Sequence, residues 1–560
     1  MPYKSRWEFK VPNAHLASLL FKSPTEPLST QKCFLEADHP ETHYLTLHDF
    51  RLWSQRFAAG LRKSGLKPGD RVLLYSGNNL FFPVAFMGVI MSGGVFTGAN
   101  PTYVARELAF QLQDSGATYL LCARSSLETG LKAAELAGLS RSQIFIFDNA
   151  IYEGGGESQD GCRYWGELVA SPEEGRQFQW EELSTPNEAD NCTLVLNYSS
   201  GTTGRPKGVE ITHKNYVANM LQYNHLQTLY PDAEERRLRS SWLCFLPMYH
   251  AMAQSVYIAC AVWRGTPVYI MPRFDFLKVL EYVQKFRITN LLLVPPIVVM
   301  FAKDPAVKKF DLSSVESVDS GAAPLGREVC MEVEKLWPPG KINIKQGWGM
   351  TEATCSILGW DPTETSLSAS VGELNANCEA KIMSEDGSTE ILGKNQRGEL
   401  WVRSQNIMKG YWQNPEATRQ TKTKDGWLKT GDIAYVDDEG RFHVVDRIKE
   451  LIKVRGNQVA PAELEALLLE HEAIADAAVI GISIDNDERP RAYVVIKPGQ
   501  SATADEIVHF INNKVSSTKR ITGGVIFIDT IPKNPSGKIL RKVLRDQARV
   551  ELKRGVTAKL

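Results

Sequence analysis

The chain has 560 residues, a formal net charge of −1 and 43% hydrophobic residues. That is too long for one small core and too balanced in charge for a nucleic-acid or anionic-lipid binder, so neither is expected as a partner. The nine cysteines are scattered, with no Cys-x-x-Cys pair. This excludes a disulfide framework or structural zinc and indicates reduced thiols inside the cell.

The N-terminal MPYKSRWEFK lacks the apolar core of a signal peptide. LTLHDFRLWSQRFAAGLRKSG reads as an amphipathic helix stopped at Gly65. RVLLYS (71–76), ATYLLCA (117–123) and SQIFIFD (142–148) read as buried strands, and RITNLLLVPP (287–296) contains another. Strands alternating with helices imply parallel sheets with crossover helices. The uncharged run Leu80 to Asn100 raises the question of a membrane span. Pro83, Ser92, four glycines and Asn100 interrupt it, so a buried helix plus loop is expected and no membrane span. Gly154-Gly155-Gly156 marks a surface loop.

From about Gly372 to residue 440 short strands and turns indicate a small β-rich unit, including EAKIMSEDGST and RGELWVRS. After Val445 the pattern shifts again. APAELEALLLEH is a helix with Pro461 near its start. AIADAAVIGIS and RPRAYVVIKP are strands, and TADEIVHFINNKVS is a helix that Thr503 caps with Glu506 three residues on. This tail reads as a separate α+β domain.

The stretch YSSGTTGRPKGV (198–209) carries the first chemical signal. Its glycines let backbone N–H groups approach anionic oxygens. Ser199, Ser200, Thr202 and Thr203 add hydroxyl donors, Gly201 and Gly204 add freedom, and Lys207 adds charge. It is not a Walker loop. Lys207 is followed by Gly208 rather than Ser or Thr, and strand-like TLVLNYS and GVEIT flank it where a helix should follow. A plain Gly/Ser hairpin is the structural alternative.

This loop resembles the phosphate-binding signature of the adenylate-forming superfamily, which holds acyl- and aryl-CoA ligases, firefly-type luciferases and peptide-synthetase adenylation domains. Further motifs stand in that family's order: LPMYHA (246–251), SGAAPLG (320–326), QGWGMTEA (346–353), TGD (430–432), VDRIKELIKVRGNQVAP (445–461) and PKNPSGKILRK (532–542). The resemblance covers nearly the whole chain from about residue 40.

It implies an α/β fold: a large N-terminal domain (1–448) of two Rossmann-like parallel-sheet subdomains plus a small β-barrel subdomain, a hinge at Lys449, and a small mobile α+β C-terminal lid (450–560). It also implies a two-step reaction, in which ATP and a carboxylic acid give acyl-AMP and pyrophosphate, and coenzyme A then takes the acyl group and releases AMP. In that reading Lys538 bridges the attacking carboxylate and the α-phosphate. Thr351 binds the α-phosphate and Glu352 holds Mg²⁺, with a first-turn helix carboxylate as the structural alternative for Glu352. Gln346, Gly347, Trp348, Gly349 and Met350 form the nucleotide wall, with Trp348 where the family usually has Tyr. Asp432 and Arg447 contact the ribose. Lys453 lies near AMP in the second, domain-rotated state. Arg455 and Gly456 match the coenzyme A region, and Arg273 its nucleotide phosphate. His250 lines the thiol's route, or else is a capping histidine.

The acyl pocket draws on Met248, His250, Asp319, Gly321 and Ala322, with apolar walls suited to an aryl or medium-chain acid. Plant hydroxycinnamate ligases usually place Lys before SGAAPL. This chain has Asp319 there, which sets 4-coumarate itself aside and leaves phenylacetate, a substituted benzoate or a medium-chain fatty acid. Adenylate oxidation with light, loading of a carrier protein (no carrier domain follows in this chain) and a non-catalytic sensor are the other readings of the motifs. The terminal Ala558-Lys559-Leu560 resembles the peroxisomal Ser-Lys-Leu address. It makes an import receptor a partner and the peroxisome the expected location, with the cytoplasm otherwise.

Overall fold

The computed structural model describes residues 2–199, 206–384, 386–454, 457–484, 487–534 and 537–553. Two sheets dominate the large lobe. In the first, Thr193–Ser199, Val95–Ala99, Arg71–Tyr75, Ala117–Ala123, Ile144–Phe147 and Arg163–Tyr164 run parallel in that spatial order. Lys207–Thr212 and then Gly410–Tyr411 extend it antiparallel at the Thr193–Ser199 edge. In the second, Lys345–Gln346, Ser317–Ser320, Asn290–Leu293, Trp242–Cys244, Val268–Ile270 and Lys32–Glu36 are parallel, and Tyr44–Thr46 closes the far edge antiparallel. The continuous apolar runs follow from burial on both faces, as in Ile144–Phe147, where every residue is buried.

The helix Leu47–Lys63 begins at a capping box. The Thr46 hydroxyl accepts the Asp49 N–H at 3.1 Å, and Asp49 Oδ2 accepts the Thr46 N–H at 3.1 Å. Such a cap contributes about 1 kcal/mol. The helix stops at Ser64, and Gly65 takes φ +97°, a left-handed turn open to glycine. The uncharged run becomes the ten-residue helix Phe82–Met91, buried on every side. At about 15 Å it is half the thickness of a bilayer core. Among the described residues no helix is long and apolar enough to cross a membrane.

The β-rich unit is a half-barrel of five antiparallel strands: Tyr3–Lys4, Glu379–Met383, Gly398–Arg403, Leu428–Val436 and Phe442–Arg447. Its first strand comes from the N-terminus, pairing Tyr3 with Ala380. One buried core runs through the large lobe from Val11 to Phe442. The C-terminal lobe has its own clusters, between Ile452 and Val525 and between Ala478 and Ala548. They lie on the two faces of the sheet Ile474–Ile484, Asp487–Ile496 and Val525–Phe527, covered by the helices Pro461–Leu469, Ala504–Asn512 and Arg541–Lys553. Thr503 and Glu506 form the expected capping box.

The strand Lys207–Thr212 is anchored by two buried histidines. His213 follows it, and its ring lies 4.3 Å from that of His15. Nδ1 of His213 accepts the Leu16 N–H, and Nδ1 of His15 accepts the Ala17 N–H. Burial pushes His15 down to about 4 and His213 well below the ordinary range. The unfolded chain therefore binds protons that the folded chain refuses, and stability falls as pH drops from about 6.5 toward 4. At pH 5 His15 alone should remove about 2 kcal/mol relative to pH 8. We expect the thermal midpoint of the large lobe to fall by several degrees between pH 7 and pH 5. An unchanged midpoint would mean that the pair is not held neutral.

Candidate active site

A cleft of ≈ 1210 Å³ lies between the two lobes. The hairpin register places Ser199 opposite Lys207 at its mouth. Ser200, Gly201, Thr202, Thr203 and Gly204 fall outside the described residues. Beside Lys207 the short strand Gly410–Tyr411 pairs Tyr411 with Val209. Lys207 Nζ sits 4.6 Å from the centre of the Tyr411 ring, and the Tyr411 hydroxyl donates to Glu352 Oε1 at 2.9 Å. A lysine, a phenol and a carboxylate from three distant segments thus form one wall.

Glu352 lies in the 3-10 turn Thr351–Ala353 rather than at the start of an α-helix. Its backbone carbonyl accepts the Met408 N–H at 2.8 Å. Its second carboxylate oxygen has no hydrogen-bond partner among the described residues. Those residues contain no cluster of three or more metal-ligating side chains. One hard oxygen without a partner beside Lys207 and Tyr411 suits Mg²⁺, which keeps most of its coordination for water and other oxygen ligands.

Gly347 to Glu352 continue from the strand Lys345–Gln346 and line the cleft. The Gly347 N–H donates to the Ser320 carbonyl, and Trp348 exchanges backbone hydrogen bonds with Leu358. Gly349 crosses the Cys355 carbonyl so closely that a Cβ would lie 1.6 Å from its oxygen. The Gln346 side chain serves the wall from behind. Its amide oxygen accepts the Leu325 N–H at 3.0 Å and its NH₂ donates to the Leu325 carbonyl at 2.9 Å, fixing the SGAAPLG loop. In that loop Ala322 takes φ +74°, a strained backbone at a cleft residue.

Trp348 Nε1 donates to Asp432 Oδ2 at 2.8 Å, and Arg447 Nε reaches Asp432 Oδ1 at 3.3 Å. Asp432 and Arg447 are register partners on adjacent strands. Burial raises the Asp432 carboxyl and Arg447 opposes that rise. The indole therefore holds the carboxylate as well as lining the cleft.

Lys538 enters the cleft from the C-terminal lobe. Asn534 shapes its loop: Oδ1 accepts the Lys538 N–H at 2.8 Å, and the Asn534 N–H donates to the Lys538 carbonyl. Gly537 takes φ +80°, and its Cβ position lies 3.1 Å from Pro296 and 3.2 Å from Val294. Glycine here lets the loop dock on the large lobe. Burial first, then Arg447, pushes Lys538 down to about 8, against Asp432 and Glu450. His250 caps the turn Ala251–Ala253 and lines the same cleft. Burial and the Lys538 charge lower it to about 4, so it is neutral at physiological pH.

The helix Pro295–Lys303 is touched by the C-terminal lobe at both ends. Gly537 meets Pro296 at one. At the other, Lys303 Nζ donates to the carbonyls of Ile474 at 2.5 Å and Leu469 at 3.2 Å. Burial lowers Lys303 to about 8. We expect Lys303→Met to slow adenylate formation about tenfold, from loss of two charge-assisted bonds, and to leave thioester formation from supplied acyl-adenylate unchanged. Equal slowing of the two half-reactions, assayed separately, would count against a docking role.

The remaining expected residues divide. Asp319, Gly321, Ala322, Met350, Thr351, Arg447 and Lys449 line the cleft. Met248 does not: its side chain is fully buried in the core and its N–H donates to Asn78 Oδ1. Its assignment to the acyl pocket is corrected, because its motif neighbours Tyr249, His250 and Ala251 line the cavity and Met248 does not. Lys453 and Arg273 are exposed and away from the cleft in this domain arrangement. Arg455, Gly456, Ala558, Lys559 and Leu560 fall outside the described residues. Tyr411 was missed. Its only sequence signal is an aromatic after a glycine, in a strand of two residues. The acyl end is also more polar than expected, with Tyr223, Tyr230 and Lys345 beside Asp319.

A large α/β lobe, a half-barrel and a small lobe that delivers a lysine into their shared cleft define a class of nucleotide-handling enzyme. The AMP-binding enzyme family model matches residues 30–412, and the model of its C-terminal domain matches 463–538. The chain belongs to the AMP-binding enzyme family. It is 38% identical over 537 residues to 4-coumarate-CoA ligase 1 of Narcissus pseudonarcissus, covering 94% of this chain and 92% of that one. It is 39% identical over 526 residues to 4-coumarate-CoA ligase 1 of Petroselinum crispum, covering 92% and 91%. Its fold is that of an anthranilate CoA ligase solved with anthranoyl-AMP, with TM-score 0.82, 22% identity and coverage of 97% and 99%. It is also similar to an o-succinylbenzoate coenzyme A synthetase of Bacillus subtilis solved with AMP, with TM-score 0.71, 25% identity and coverage of 96% and 98%.

Proposed function

We propose that the protein is an ATP-dependent acid–CoA ligase. A carboxylate oxygen attacks the α-phosphorus of ATP, the bond to the β-phosphate oxygen breaks, and pyrophosphate leaves. Coenzyme A thiolate then attacks the acyl carbonyl, the bond to the AMP oxygen breaks, and AMP leaves. Both phosphate steps concentrate negative charge, which fixed cations and donors stabilise. The observation that carries this reading is the convergence in one cleft of Lys538 from the small lobe, Lys207 with Tyr411 and Glu352, and Trp348 and Arg447, both bonded to Asp432 buried behind them.

In this reading Lys207 and Ser199 grip the pyrophosphate half of ATP. Asp432, kept anionic by Arg447, accepts from the ribose hydroxyls, and Trp348 offers an aromatic wall to adenine. Mg²⁺ held through Glu352 would supply charge neutralisation at the phosphates. Lys538 places its cation where the carboxylate meets the α-phosphate. Neutral His250 puts no competing charge on the thiol's approach. Incubation with ATP, Mg²⁺, a panel of carboxylic acids and coenzyme A should yield AMP and thioester in equal amounts. Pyrophosphate release that never leads to a thioester with any acid would sink the ligase reading.

A further inference from the structure

The half-barrel strand Phe442–Arg447 ends in a tight turn that leads into the small lobe. The N–H groups of Glu450 and Leu451 both donate to the Arg447 carbonyl, at 2.9 and 3.2 Å. The Ile448 N–H donates to the Gly431 carbonyl at 2.9 Å, which pins the turn to the half-barrel. Arg447, Ile448 and Lys449 line the cleft, and Lys449 is the expected hinge. Leu451 clusters with Ile433 of the half-barrel, while Ile452 already belongs to the core of the small lobe. Glu450 therefore stands on the seam between the lobes.

The Glu450 side chain is buried, and its Oε2 accepts Arg545 Nη1 at 2.7 Å. Arg545 lies on the helix Arg541–Lys553, which starts three residues after Lys538. One turn earlier on the same face, Arg541 donates to Glu465 at 2.6 and 3.2 Å. The two arginines serve different ends. Glu465 also accepts the Val479 N–H, so Arg541 fastens the helix within the small lobe. Arg545 fastens the same helix to the turn at the seam.

Charge adds to this tie. The groups that face Lys538 are Arg447 and Asp432 from the half-barrel, His250 from the turn Ala251–Ala253, Arg541 from the following helix, and Glu450 from the seam. Asp432 and Glu450 are the anions of that set, and they favour the charged lysine against burial and the two arginines. Asp432 is held by Trp348 and Arg447 on the large lobe. Glu450 is held by the helix that follows the lysine itself.

We infer that Glu450 is a positioning residue for the adenylation step: through Arg545 it couples the turn at the seam to the helix behind Lys538, so that turn and lysine move as one body. This rests on the ligase reading and on the role given there to Lys538. A rotation of the turn withdraws the lysine, and its return delivers the lysine already aligned.

The test uses the full-length protein, with adenylate formation and thioester formation from supplied acyl-adenylate assayed separately across pH. Glu450→Gln keeps the volume and removes the charge. It should slow adenylate formation about tenfold and leave thioester formation within a few-fold of wild type. It should also move the alkaline limb of kcat/KM for adenylation to lower pH, by about half a unit or more, because one anion beside Lys538 is gone. Arg545→Met breaks the same tie but leaves that anion. Its adenylation should slow by a similar factor while the limb stays in place or moves to higher pH. Arg545→Lys restores a single charged donor for Glu450 and should recover most of the rate. An unchanged rate or an unmoved limb in Glu450→Gln, equal loss of both half-reactions, or no recovery in Arg545→Lys each overturns the proposal while the wild-type reaction still runs. If wild type adenylates no acid, the ligase reading fails. Labelling of Lys538 by an amine-reactive anhydride across pH, read by mass spectrometry of its peptide, then decides this proposal by itself. A lysine that deprotonates at lower pH in Glu450→Gln than in Arg545→Met upholds it, and the same titration in both overturns it.

Discussion

Lys538→Ala is expected to slow acyl-adenylate formation by about 10²–10³-fold and to leave thioester formation from supplied acyl-adenylate within a few-fold of wild type. The cation reaches the cleft on a loop of the small lobe, and in the proposed role it would offset charge that builds when the carboxylate meets the α-phosphate. It makes little difference to ground-state binding, and the loss should appear in kcat more than in KM. The lysine's own titration gives a second signature. Burial and Arg447 hold it at about 8. The active form is the cation, so kcat/KM for adenylation should fall as pH rises through about 8. Bound ATP adds negative charge and should carry the limb in kcat to higher pH. Equal loss of both half-reactions, or a flat kcat/KM profile from pH 7 to 9, would remove Lys538 from this role.

Much of this arrangement is legible in the sequence because its constraints are local. Strands buried on both faces must be apolar throughout, so Ile144–Phe147 announces itself. Thr46 with Asp49 and Thr503 with Glu506 mark helix starts within four residues. Gly349 and Gly537 stand where another backbone or a proline passes within contact distance, and glycines within polar motifs flag such crossings.

The rest depends on pairings across hundreds of residues. Tyr411 reaches Glu352 only because Gly410–Tyr411 leaves the half-barrel segment to join Lys207–Thr212. Tyr3–Lys4 is too short to read as a strand and exists through its pairing with Glu379–Met383. The partner of Trp348 is Asp432, 84 positions away. Motif membership also misleads at single-residue scale. Met248 and His250 share LPMYHA, yet one turns into the core and the other into the cleft. The polarity around Asp319 arises from Tyr223, Tyr230 and Lys345, which no linear pattern joins.

Glu352→Gln is expected to lower adenylate formation by about 100-fold and to raise the Mg²⁺ concentration needed for half-maximal rate. Glutamine preserves the volume, and its amide oxygen can still accept the Tyr411 hydroxyl that now bonds Glu352 Oε1. The substitution therefore removes one negative charge and one hard ligand while sparing the buried hydrogen bond, and the thermal midpoint should stay within a few degrees. Tyr411→Phe is the complementary change. It keeps the carboxylate and the ring beside Lys207 but frees Glu352 to rotate, so its effect should be smaller, about 3–10-fold, and should appear without a change in Mg²⁺ dependence. Pyrophosphate exchange measured across a Mg²⁺ series separates the two. If Glu352→Gln keeps the wild-type Mg²⁺ dependence while losing rate, the carboxylate acts through Tyr411 and Lys207 as a structural brace, and the ion must be held by substrate phosphates alone.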